Sequence, residues 1–575
     1  MNASNRRRWV GVSKALVSVP VLAAVFFASP SASAEVVVEL DTLRQKIDGF
    51  GASTAFFSED ISQEDADFLF DPVEGIGLSL VRVRVNHEDA NTTDIETAKK
   101  AYAYGVKIWA APWTPPPAYK TNNDLPATGG ARLKTQSYAD FANYLADFVE
   151  WMEEQGVPII AITPQNEPDW EASWDGCMYT PAEMTTFIGK HLGPTFEQRG
   201  INVKIVAPDT AALNKLPEFT TAMLADADAK KYLAGVSTHP YSTTGFSLDW
   251  SVPRDNGLFF WQTEISWEAQ NGGSNTDTPD PGMKTALWIS KMMHEHLTKL
   301  WMNSWSYWNL TAVTDNYKDD PQRQNPALIQ NGVKYKRAYA MGNFSKFVRP
   351  GYTRVEATPQ PATDLYVSAY KSESGDKIAV VAINDGNAAA NETVKLTGTL
   401  AGSVLSVTPY VTSDAHSLAA QAEVAFASAD NSFPAALAPK SITTFLVDVD
   451  VPEPVGAGGA GGTDGLGGSA GSAGAAGGVA AGGSAAGGST AAGAGGTGFA
   501  SGGADGTAAG AGGATGGAPA AGGANSASGG APGDVSNSGC GCRVGSTSSS
   551  GTVALWALGV LGAVGSFVRR RTSRR

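Results

Sequence analysis

Between Glu35 and about Asp450 the chain alternates short apolar runs with helical patterns, and this alternation constrains the fold more than any other feature. Strands joined through helices run parallel, because each helix carries the chain back to the same end of the sheet. Eight runs qualify: Ile47 to Gly51, Leu78 to Val85, Val106 to Trp113, Ile159 to Pro164, Val203 to Ala207, Gly235 to His239, Phe259 to Glu264 and Asn303 to Trp308. All are short and rich in β-branched or aromatic residues. One intervening helix has its cap at Thr180, Pro181 at the first helical position, Glu183 three residues after the cap and Gly200 beyond its end. Another, Ser137 to Gly156, repeats Phe141, Tyr144, Leu145, Phe148 and Met152 at helical spacing, so one face is apolar and packs on a sheet. Eight strands with helices between them predict an α/β fold, a closed (β/α)8 TIM barrel over residues 35–348.

After about Arg349 the pattern becomes alternating strands with Gly, Asn and Pro turns: Asp364 to Tyr370, Lys377 to Asn384 and Ile442 to Val449. A side-associated β-sandwich is expected over 349–450. Val36 to Leu40, before the barrel, is expected to pair with it. Residues 451–539 differ in kind: of the 66 glycines in the chain, 34 fall between 456 and 539. So few apolar side chains cannot offset chain entropy, and a disordered Gly/Ala/Ser-rich linker is expected.

The two ends are basic. Residues 1–34 carry Arg6-Arg7-Arg8, an apolar run from Ala15 to Ala28 broken by Pro20, and Ala32-Ser33-Ala34, which together read as a signal peptide for export. Within 540–575, the apolar run Thr552 to Val568 is closed by Arg569-Arg570-Arg571, which holds that end on the cytoplasmic side of a membrane. The body from 35 to 455 holds 32 bases and 53 acids, a charge of −21 inside a formal total of −14. Such a surface repels phosphate backbones, so no nucleic-acid partner is expected. Three cysteines make neither a disulfide framework nor a four-ligand zinc site, so no metal is read from them. A monomer is expected.

Chemistry in such barrels gathers at the C-terminal ends of the strands. Glu167, in Ile-Thr-Pro-Gln-Asn-Glu-Pro, stands where the fourth strand must stop before Pro168, and Glu264 closes the seventh. From those ends the two face each other across the barrel mouth. Glycoside hydrolysis needs this arrangement: one carboxyl kept protonated as general acid, the other ionised to attack the anomeric carbon. Either glutamate alone also fits a satisfied ion pair. Trp109, Trp113, Trp170, Trp174, Trp267, Trp305 and Trp308 lie in or just after strand ends, where flat rings stack on sugars, although each taken singly also fits a packed core. Asn166 could bond a sugar hydroxyl, Arg82 could hold the nucleophile ionised, and His239 and Tyr241 are candidates for orienting Glu264. Both steps need only carboxyls and water, so no cofactor is expected.

Asp48-Gly-Phe-Gly51, Ala111-Pro-Trp-Thr-Pro-Pro116, Gln165-Asn-Glu-Pro168, Trp261-Gln-Thr-Glu264 and Phe344-Ser-Lys-Phe-Val-Arg-Pro-Gly351 together resemble the motifs of glycoside hydrolase family 30 in clan A. The resemblance covers about Val36 to Val449. It implies Glu167 as acid/base, Glu264 as nucleophile, Asn166 as a 2-hydroxyl contact and Trp113 as a wall of the subsite for the attacked sugar. Val367-Ser-Ala-Tyr-Lys371 points to the bacterial glucuronoxylan and arabinoxylan endo-β-1,4-xylanases of that family. Relatives acting on β-1,6-galactan, β-1,6-glucan or glucosylceramide share the same chemistry, and a non-catalytic carbohydrate-binding surface protein would share the aromatic cleft. Glucuronate-dependent members carry an arginine just after the eighth strand, whereas this chain continues Trp308-Asn-Leu-Thr-Ala-Val313. Cys540-Gly-Cys542, with the apolar run and arginines behind it, resembles a myxobacterial C-terminal sorting signal, which implies processing near the cysteines and display at the cell surface or outer membrane. The expected partners are a plant xylan or related β-glycan and, through 540–575, a membrane or cell surface.

Overall fold

The structure is a computed structural model that describes residues 35–56, 60–266, 280–312 and 327–452. The export signal, most of the linker, the C-terminal segment and Trp267 lie outside the described residues. Among the described residues, no helix is long and apolar enough to cross a membrane.

All eight expected strands form, as β2 (Gly49–Ser53), β3 (Leu80–Val85), β4 (Lys107–Pro112), β5 (Ile159–Ile162), β6 (Lys204–Val206), β7 (Leu233–Thr238), β8 (Phe259–Gln262) and β9 (Ser304–Ala312); β1 (Glu35–Lys46) precedes them. Each pairs in parallel with the next, and β9 pairs with both β8 and β2, which closes the cylinder. Nearly every residue of these strands is buried, as a sheet covered on both faces requires. The apolar stripe of the helix Tyr138–Glu154 is buried as its spacing predicts. The helix begun at Pro181 carries the expected capping box between Thr180 and Glu183 and ends at Gly200 in a left-handed conformation, φ 69°. It is interrupted by a wide turn at Ile188–Leu192. Pro194 lies just beyond that turn and has no N–H for the ladder.

Two short strands, β10 (Ala327–Gln330) and β11 (Val333–Lys334), extend β9 outside the barrel. The rest of the chain forms β12 (Thr353–Ala357), β13 (Leu365–Lys371), β14 (Lys377–Asn384), β15 (Ala390–Thr397), β16 (Ser403–Thr412), β17 (Ala419–Ala420), β18 (Ser432–Leu437) and β19 (Ser441–Asp450). With β1 they make one nine-stranded sheet in the order β17-β16-β19-β14-β13-β12-β1-β15-β18. It folds over its own core, where Val36, Val38, Val380, Val394, Phe433 and Phe445 meet as in a sandwich. The expected pairing of the N-terminal strand is present: β1 lies antiparallel to β12 and parallel to β15.

Strand β14 shows how the sheet is fixed to the barrel. Ile378, Val380 and Ala382 enter the side core, while Ala379, Val381 and Ile383, on the opposite face, join the core cluster of the barrel. Buried Asn343, in the helix Lys336–Ser345, adds hydrogen bonds to the Tyr410 carbonyl and the Thr444 hydroxyl, each 3.1 Å.

Candidate active site

Glu167 stands five residues beyond the end of β5, in a left-handed conformation with φ 51°. Such a backbone costs roughly 1–3 kcal/mol outside glycine and persists where the surroundings impose it. Here its N–H donates to the carbonyl of Asp209 at 2.9 Å. The carboxyl is almost fully buried and faces Nδ1 of His239 at 3.1 Å. Burial and the charge of Asp209 push it up to about 7, against the pull of Arg82.

Glu264, two residues beyond β8, is equally buried but differently held. Oε2 accepts from Nη1 of Arg82 at 2.6 Å and Oε1 accepts from the Tyr241 hydroxyl at 2.9 Å. Burial raises this carboxyl above its ordinary range, while His239, Arg82 and the Tyr241 hydroxyl oppose that rise. A direct cation contact favours ionisation of Glu264, a contact that Glu167 lacks. One oxygen from each glutamate and a ring nitrogen of His239 all lie within 4.8 Å of one another.

Arg82, on β3, is fully buried and organises the floor of the site. Nη2 donates to Asn166 Oδ1 at 2.6 Å and to Asp209 Oδ2 at 2.9 Å. Its guanidinium lies over the rings of Trp113 at 4.3 Å and Trp109 at 5.1 Å. With the carbonyl of Asn166 taken by Arg82, the amide N–H groups are its means of reaching a sugar hydroxyl. This cation pairs with two of the site's three buried acids, Asp209 and Glu264.

The structure thus brings together Arg82, Asn166, Glu167, His239, Tyr241 and Glu264. Tyr241 orients Glu264 as expected. His239 makes its shorter contact with Glu167; its Nε2 stands 3.7 Å from Glu264. Burial lowers the pKa of His239 and favours the neutral ring.

The tryptophans divide. Trp109, Trp113, Trp261 and Trp308 form one cluster inside the barrel, with Trp113 and Trp308 at 6.0 Å. Trp113 is 1 % exposed, and one of its roles is to back the guanidinium of Arg82. Trp170 stands 41 % exposed, three residues past Glu167. Trp305 is a correction: it is fully buried in the core between barrel and helices, and its indole N–H meets Nδ1 of His296 at 3.3 Å. Three positions before Trp308 on one strand, it points to the opposite face, so both cannot line the mouth.

Sequence reasoning missed Asp209. It follows β6 at φ 67°, is fully buried, and touches Arg82, Thr163 and Thr263. The rule that selected the glutamates, an acid just past a barrel strand, applies to it equally.

Comparison with known proteins places the chain in a family. The glycosyl hydrolase family 30 TIM-barrel domain matches residues 74–348. Glucuronoxylanase XynC of Bacillus subtilis is 30 % identical over 423 residues, covering 72 % of this chain and 92 % of that protein. The crystal structure of Xyn30A from Clostridium acetobutylicum, a subfamily 8 xylanase of family 30, is similar with TM-score 0.62 at 30 % identity, over 72 % of this chain and all of that one. A family 30 endoxylanase from Clostridium papyrosolvens C71 is similar with TM-score 0.59, at the same identity and coverage. The chain belongs to glycosyl hydrolase family 30 and is a glycoside hydrolase.

Proposed function

We propose that the chain is a retaining endo-glycosidase that cuts the β-1,4 backbone of xylan. The observation that carries the mechanism is the unequal environment of two buried carboxyls whose oxygens come within 4.8 Å. Retaining glycosidases hold their carboxyls about 5–5.5 Å apart, whereas inverting ones leave about 6.5–9.5 Å for a water. Glu264, paired with Arg82 and Tyr241, attacks the anomeric carbon as Glu167 gives its proton to the departing glycosidic oxygen. The C–O bond to the leaving sugar breaks and an ester to Glu264 forms. Glu167, now ionised, takes a proton from water; the hydroxide displaces Glu264 and the sugar is released with its original configuration.

Since Glu167 must start protonated and titrates at about 7, kcat/KM is expected to fall as pH rises through that value. On the acid side it falls as Glu264 gains a proton, above the ordinary carboxylate range.

Xylan as substrate is supported by the names of the relatives above and by Val367-Ser-Ala-Tyr-Lys371 in β13. Independence from a glucuronate branch rests on the absence of arginine from Trp308 to Val313, a stretch of which only Val313 lies beyond β9. The test is incubation with glucuronoxylan, unbranched β-1,4-xylan and β-1,6-galactan, with products identified by mass. Internal cuts in both xylans are expected. Cleavage of galactan alone would keep the two glutamates in their roles and change the substrate, and binding without cleavage would make the chain a carbohydrate-binding protein. We also propose export and display at the cell surface, supported by the basic-apolar-small order of 1–34 and the cysteine, apolar and arginine order of 540–575. Cell fractionation with an antibody to the barrel tests this; a purely cytoplasmic signal would refute it.

A further inference from the structure

Asp209 sits where the two halves of the site meet. Oδ2 accepts from Nη2 of Arg82 at 2.9 Å and from the Thr163 hydroxyl at 3.3 Å, and Oδ1 accepts from the Thr263 hydroxyl at 2.6 Å. Its backbone carbonyl accepts from the N–H of Glu167, and its own N–H donates to the Ser237 carbonyl. Through these bonds it reaches β3, the segments carrying both glutamates, and the end of β7. Glu167 and Asp209 are both left-handed, and the hydrogen bond between them locks one strained position to the other.

We infer that Asp209 is a positioning residue for the reaction: by holding Nη2 of Arg82 it commits that cation to Glu264 and withholds it from Glu167. One guanidinium could serve two carboxylates. The structure gives Arg82 a permanent second carboxylate that does no chemistry, so Glu264 receives one edge and the acid/base receives no direct contact. The ionisable groups around Glu167 are Arg82 from β3, Asp209 after β6, His239 and Tyr241 after β7, Glu264 after β8, and Asp169 on its own loop. His239 favours its neutral form, and Asp169 is itself pushed up to about 6 with its oxygens on the Ala211 and Ala212 amides. Glu264 and Asp169 also carry charge near pH 7, but Asp209 is the carboxylate that is bonded to Arg82, takes no part in the chemistry and opposes that cation at the acid/base. Removing it frees Arg82 to stabilise ionised Glu167, which then loses its proton at lower pH.

This inference rests on Glu167 being the acid/base, and two readouts separate its failure from failure of that reading. The first needs no substrate. Carboxyl ¹³C NMR titration of the full chain, with the Glu167 signal assigned by its loss in Glu167→Gln, reads the proton directly. Asp209→Asn is expected to lower the Glu167 midpoint by about 1 pH unit. An unmoved midpoint would overturn the inference and leave the proposed function standing. The second is kinetic. At pH 7, Asp209→Asn is expected to lose more activity on xylan, whose leaving group needs a proton, than on an aryl xyloside with an acidic phenol, and this gap is expected to close at pH 5. An equal loss on both at both pH values would reduce Asp209 to a structural part. If Asp209→Asn fails to fold, Asp209→Glu, which keeps the charge, is expected to retain the parent's alkaline limb while lowering kcat; a displaced limb would overturn the inference.

Discussion

The floor of the barrel mouth and the core of the side sheet are both buried, yet they are built from opposite materials. Beneath the mouth, Arg82, Asp209, His239, Glu167 and Glu264 are buried close together, while the side core gathers apolar side chains from eight strands. Burying charges is costly and returns little stability even when they are well paired, whereas apolar packing is the main source of it. The mouth therefore invests in chemistry and the side core in cohesion, so substitutions in the two places should fail in different ways.

The largest effect that tests this division is expected from Glu264→Ala. Turnover should drop on the order of 10⁴-fold or more, since no other group can form the ester, while the melting temperature holds or rises as a buried acid disappears. Azide supplied to the variant should restore cleavage of an activated aryl xyloside. Loss of folding together with activity would erase the contrast between the regions. Phe445→Ala is the converse. It empties a site packed against the tilted ring of Phe433 at 5.4 Å, and should cost about 3–5 kcal/mol in denaturant unfolding with kcat of the folded fraction unchanged. Next comes Tyr241→Phe, which deletes one hydroxyl on Glu264 and should lower kcat/KM about 10- to 100-fold without a change in melting. The smallest is Thr180→Ala, which belongs to neither the charged cluster nor the side core. Losing the capping box should cost about 1 kcal/mol, read by thermal unfolding, and leave kinetics untouched.

The contrast also explains what was legible in the sequence. Strand positions follow from apolar runs, and a helix end follows from Thr180, Pro181 and Gly200, because those signals act within a few residues. The two glutamates stood out because a barrel strand end is a defined place. Asp209 stood in such a place too, but its partners come from Arg82, Thr163 and Thr263, distant in sequence, and only the closed cylinder assembles them. Trp305 was misassigned for a simpler reason: closeness to a strand end says nothing about facing, whereas counting by twos from Trp308 would have placed it outside. The two sides of β14 are both apolar, so alternation alone could not reveal that one faces the barrel helices.

Strand β1 has a consequence for how the molecule is made. In the hydrogen-bonded order it stands between β12 and β15, and among the described residues the backbone ladder links β15 and β18 to the other strands through it. Its partner Lys395 is 358 positions after Val37. The first described segment to leave a ribosome thus waits for its partners until β12 and then β15 have been synthesised, more than 300 positions later. A product cut short before β15 leaves one of those edges bare, and a nick that releases 35–46 splits the side sheet along its seam. Completion of the sheet therefore reports that the chain has been made through β19, a later check than closure of the barrel, whose last pairing joins β9 to β2.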